Sequence, residues 1–167
     1  MPLGTPASVA SGGAIADNAT STAYTPTANA LQLAFVAGRA SSALTDPDIT
    51  GAGGLTWSPI TLADYDIGSG IRISLRAFAA IAPSSPSSIQ ITGTVTGAGR
   101  TVIEVVEVTG ASSTITNYDD GVDASAGDPA IVLPSAPVAL AIACFAGAHG
   151  SPVAAPSGFT EIVDNTT

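Results

Sequence analysis

Hydrophobic residues along this chain alternate with polar ones over short stretches instead of recurring every three or four positions, and that period selects strands over helices. From Ile71 to Ala79, the residues Ile71, Ile73, Leu75, Ala77 and Ala79 share one side of an extended chain, with Arg72, Ser74, Arg76 and Phe78 on the other. The spacing predicts a half-buried strand. Beyond the turn-forming Pro83-Ser84-Ser85-Pro86, the residues Ile89, Ile91, Gly93 and Val95 alternate with Gln90, Thr92, Thr94 and Thr96, which predicts a β-hairpin with a longer loop. Ala30 to Gly38 is nearly continuous in apolar residues and ends at glycine, the pattern of a central strand buried on both faces. Thr101–Thr109 is β-branched, and strict alternation there puts Glu104 and Glu107 on opposite faces. One of these two glutamates needs an edge, a bulge or a partner such as Arg72, Arg76 or Arg100.

The remaining stretches are punctuation and weaker strands. Residues 1–28 are small and polar, anchored only by Val9, Ile15 and Tyr24, and read as an N-terminal arm or weak strand ahead of a single domain at 29–167. Ser41 to Gly54 carries loop chemistry, Asp46-Pro47-Asp48 and Gly51-Ala52-Gly53-Gly54, before a run that holds the one tryptophan, Trp57. Residues 111–128 form a polar, acidic loop; Ile131–Leu133, Val138–Gly147 and Gly158–Val163 resume strand character. Eighteen glycines and twelve prolines interrupt the chain too often for long helices.

Two of the apolar runs match. Ala30–Gly38 aligned with Ala139–Gly147 is identical at five of nine positions, and each run leads through a Pro-containing loop to a Gly-apolar-Thr triplet, Gly54-Leu55-Thr56 and Gly158-Phe159-Thr160. The order predicts an internal duplication with units at about 29–110 and 131–167, the second ending before its hairpin and closing strand. Either the repeat degenerates, or partner chains supply the missing edges, or the sequence is a fragment of a longer protein; in the first two cases the unpaired edges invite pairing with another chain and imply assembly.

Charge narrows the choice of partner. Only 10% of the 167 residues are charged, against roughly 25% in soluble domains generally. Four arginines, no lysine and thirteen carboxylates give a net charge of −9, a surface that repels nucleic-acid phosphates and anionic lipid headgroups. Neither nucleic acid nor membrane is expected as a partner. With Cys144 the only cysteine, no intrachain disulfide or thiolate cluster can form. No apolar run approaches the roughly 18 residues of a membrane helix, and the first residues lack a basic-then-apolar leader, which predicts an unexported product.

Candidate chemistry is sparse. His149 is the only histidine and no Gly-x-Ser-x-Gly elbow accompanies it, so no catalytic triad is expected. Cys144 sits in an apolar run, as a small buried hydrophobe does. The glycine-rich turns at 51–54 and 97–99 lack the lysine and helix of a phosphate loop. Asp119, Asp120, Asp123 and Asp128 are the candidate calcium ligands, although their spacing is not that of a helix-loop-helix site and they read first as a solvated loop. Glu104 and Glu107, on one strand, read as structural and not as a glycosidase pair. Trp57, Tyr65 and Tyr118, with Tyr24, are candidates to stack on sugar rings, while a lone tryptophan among apolar neighbours equally suits a core. The expectation is a non-enzymatic protein with no cofactor.

Ala30–Ala37, Gly54-Leu55-Thr56-Trp57, Ile71–Ile81 and Val102–Gly110, followed by a second copy from Pro137 to Thr160, resemble in order and composition the β-sandwich structural proteins of tailed-bacteriophage virions. Leu55 stands where that pattern has an aromatic residue. The resemblance implies an all-β, antiparallel β-sandwich of jelly-roll type, built from the internal duplication with its incomplete second copy. It further implies a tail, fibre, baseplate or capsid-decoration part that is assembled in the host cytoplasm and resides in the virion. Its partners would be copies of itself and other virion proteins; the alternative is a carbohydrate-binding or adhesion module whose partner is a host-surface glycan.

Overall fold

The structure, a computed structural model, describes residues 2–66, 71–111, 142 and 144. Every regular element among them is a strand: β1 (Ala7–Ala14), β2 (Asn18–Thr20), β3 (Leu31–Ala40), β4 (Asp48–Gly51), β5 (Ser58–Asp66), β6 (Arg72–Ile81), β7 (Thr92–Thr94) and β8 (Arg100–Val108). They form two antiparallel sheets, one in the order β1-β8-β3-β6-β5 and the other β2-β7-β4. Pairing is nested, with β1 on β8, β2 on β7 and β3 on β6.

β3 takes the centre of the larger sheet because both of its faces are apolar. Ala34 and Val36 join Ile103 and Val105 of β8 and Phe78 of β6 in a core completed from the smaller sheet by Ala19, Ile91 and Val95. The layers touch most closely at glycines. A Cβ on Gly38 would lie 2.5 Å from Val95, and one on Gly93 2.8 Å from Val36, so each glycine admits a valine from the facing sheet. On the opposite face of the larger sheet, Leu31, Leu33, Val106 and Val108 form a second cluster with Phe35, Ile60, Ala79, Ala111 and Ile142 packed against it. This sheet is therefore apolar on both faces.

The first 28 residues supply a strand to each sheet, with Ala10 and Ala19 in the core. The expected hairpin between Ile71–Ala79 and Ile89–Thr96 does not form. β6 already has β3 and β5 on its two sides, and β7 crosses to lie between β2 and β4, where Ile91 and Val95 face the core. The ten residues between them carry Pro83 and Pro86, which lack the N–H groups a ladder needs. Nor does β8 lie at an edge: it runs between β1 and β3, and the register shift falls on β1, between Ser8 and Ala10. Its glutamates are accommodated by local donors. Ser8 Oγ donates to Glu104, and Glu107 accepts from Thr27 N at 2.7 Å, Thr27 Oγ1 at 2.6 Å and Gln32 Nε2 at 2.9 Å.

Candidate functional site

Where the strands end beside Trp57, the loop between β4 and β5 leans over the last residues of β6 and leaves an open hollow of about 420 Å³. Leu31, Leu55, Ala79 and Ile81 supply apolar walls, and Gly54, Thr56 and Ser58 bring backbone and hydroxyl groups to the rim. The loop is shaped by a turn in which Leu55 N donates to Ala52 O, and by Trp57, whose indole Nε1 donates to the same carbonyl at 3.1 Å. The Trp57 ring is half-buried and packs on the main core, so it braces the loop from beneath while its neighbours Thr56 and Ser58 meet the hollow.

Beside it lies the polar network of Tyr24, Gln32, Thr27 and Glu107. Gln32 is fully buried on β3 and divides its amide, accepting from Tyr24 Oη at 3.3 Å and donating to Glu107. Burial, and then the Glu107 carboxylate, push the Tyr24 phenol up to about 12. Tyr24 is 9% exposed and presents no ring face to solvent for stacking. Its hydroxyl is a fixed donor that holds its proton through the neutral range, which suits structural work and not acid–base exchange.

Neutral hydroxyls also line the exposed side of the smaller sheet. Thr20 and Thr92 share a hydrogen bond of 2.9 Å, and Thr94 Oγ1 donates to Asn18 Oδ1 at 2.6 Å. With its one proton so placed, Thr94 accepts from Thr50 at 2.7 Å. Asn18 has its carboxamide oxygen in this chain of hydroxyls.

Of the other residues picked from the sequence, Tyr65 pairs with Ile73 in the β5–β6 ladder. Tyr118, Asp119, Asp120, Asp123, Asp128 and His149 lie outside the described residues. Among the described residues no group of three or more His, Cys, Asp or Glu comes together as a metal site would require. Desolvation, and secondarily Glu104, push the Cys144 thiol up to about 12, so it is not the thiolate that nucleophilic attack requires. Sequence reasoning missed the Thr27–Gln32–Glu107 network, because its three members are brought together only by the meeting of β3, β8 and the loop before β3; the alternating Thr92, Thr94 and Thr96 did signal the hydroxyl face. No family model, curated protein or solved structure matches this chain.

Proposed function

We propose that this chain is a structural component of a phage virion, an antiparallel β-sandwich of jelly-roll type that acts through contacts with copies of itself and with other virion proteins. The observation that carries the reading is the nesting of strand pairs, β1 with β8, β2 with β7 and β3 with β6, the order produced by rolling up one long hairpin. One strand departs from that scheme: β5 extends the larger sheet beside β6 instead of pairing with β4. Jelly rolls serve capsid and lectin domains alike, so the surface must choose between them. Low charge, hydroxyl-covered strands and a sheet that is apolar on both faces favour a part that packs against neighbours. Cryo-electron microscopy of particles from a phage encoding the chain should place this fold at symmetric positions; purified particles that lack it overturn the reading.

The second reading is a glycan-binding module, favoured by the open hollow with Thr56 and Ser58 at its rim. Glycan-array binding that Trp57→Ala abolishes while the circular dichroism of the sheets persists would select it. An array without signal rejects it.

A further inference from the structure

The segment before β3 is bonded within itself and grips the rest of the chain mainly through its backbone. Within it, Thr22 N donates to Ser11 O at 2.8 Å and Gly12 abuts the Thr20 carbonyl, so β1 and β2 lie against each other. β1 runs beside β8 from Ala7 opposite Glu107 to Ala14 opposite Thr101, and β2 runs beside β7 from Asn18 to Thr20. The pairing continues with Ser21 N donating to Ile91 O at 2.8 Å and Tyr24 N to Ile89 O at 3.0 Å. The core side chains of the segment are Ala10, Ala19 and Tyr24, two of them single methyl groups. A ladder of backbone groups is formed equally well whichever copy of the chain supplies each strand. The link to β3 is a tight turn: Ala30 N donates to Thr27 O at 3.1 Å and Asn29 N to Pro83 O at 3.3 Å. At φ 60°, Asn29 is the one non-glycine residue among the described residues in the left-handed region, where a Cβ crowds the following carbonyl. Asparagine tolerates that conformation less well than glycine, so the closed turn is strained.

We propose that residues 2–27 are an exchangeable arm: the chain pairs with a second copy by laying this arm along β8 and β7 of that copy while receiving the partner's arm in return. Only the turn at Ala28 and Asn29 has to open, and the contacts of the arm are then remade between copies. Short hinge turns under strain favour such exchange, because opening extends the hinge and relieves it. The site beside β8 is fitted to this arm in particular, with a register shift between Ser8 and Ala10 and a bond from Ser8 Oγ to Glu104. When the turn is closed, the short link holds the arm at an effective concentration on the order of 1 mM beside its own body. Relief of strain at two turns, about fivefold for each, brings the dimer dissociation constant to about 50 µM. The inference goes beyond the virion reading and stands or falls apart from it.

Cross-linking of the full chain, in a Cys144→Ala background, tests it. Thr20 and Thr92 are opposite each other on β2 and β7 with their hydroxyls 2.9 Å apart, within reach of a disulfide once both are cysteine. The single variants Thr20→Cys and Thr92→Cys are refolded together from urea at about 1 mM and then oxidised. They should give a disulfide-linked pair containing one chain of each, in about fivefold or greater excess over the self-linked pairs of either variant alone. Asn18→Cys with Thr94→Cys, also opposite each other, replaces the first pair if it fails to fold. Asn29→Gly, which removes the strain of the closed turn, should weaken dimerisation of the otherwise unaltered chain about tenfold or more in sedimentation equilibrium. A mixed disulfide no more abundant than the self-linked pairs overturns the proposal, as does a wild-type chain that stays monomeric at about 1 mM. A dimer that Asn29→Gly leaves unchanged or strengthens marks contact between closed copies and overturns it too.

Discussion

Glu107 and Tyr24 show how an interior of mostly neutral groups treats its few ionisable ones. Glu107 is satisfied by three neutral donors, two of them on Thr27. Hydrogen bonds to a charged acceptor each count for more than neutral ones, and truncation also strands the buried Gln32 amide. Glu107→Ala should therefore cost about 2–3 kcal/mol in urea denaturation, with Glu107→Gln costing less. Tyr24 contributes through pH. Its phenol is raised to about 12 in the folded chain against 10 when unfolded, so above pH 10 the unfolded chain sheds a proton that the folded one keeps. The contribution is complete below pH 10 and is lost as pH rises toward 12. Denaturation midpoints followed from pH 9 to 12 should fall more steeply for the wild type than for Tyr24→Phe, and parallel curves would refute the assignment.

At the scale of elements, the distance between the two sheets depends on glycines facing valines. Gly93→Ala would place a methyl group 2.8 and 2.9 Å from the two γ-carbons of Val36, with the Val36 Cβ at 3.4 Å. Overpacking of this kind costs about 1–3 kcal/mol, and Val36→Ala alone costs a similar amount by opening a cavity. Combined, the two changes exchange volume at one contact. The double variant should be less destabilised than the sum of the singles by about 1 kcal/mol or more, as a thermodynamic cycle from chemical denaturation would measure. Strand character was legible in β3, β6 and β8, where alternation or a continuous apolar run leaves no other element. The destination of β7 was not legible. Its alternation fits any sheet with an apolar face to cover, and what moved it was that β6 had no free edge.

For the whole molecule, thirteen carboxylates against four arginines leave a net repulsion that salt can screen. The ion pair Arg72–Asp66 joins side chains about half exposed, and Arg76–Asp46 spans 4.0 Å, so neither loses much on screening. Thermal unfolding should therefore shift upward by a few degrees between about 10 and 500 mM sodium chloride. A downward shift would mean that ion pairs outweigh the repulsion.

The sequence by itself determined strands where alternation or an apolar run is clear, in β3, β6 and β8, and where their apolar faces lie, while β4 falls in the stretch whose prolines and glycines read as loop. It also determined the low charge and the lack of partners for Cys144 within the chain. Tertiary structure alone decided which strands pair, which donors reach Glu104 and Glu107, and that β5 extends the larger sheet beside β6. Alternation specifies a face, whereas strand pairing is made by backbone N–H and C=O groups that are alike in every residue but proline. Which neighbour a strand takes is settled only when all the apolar faces are covered at once.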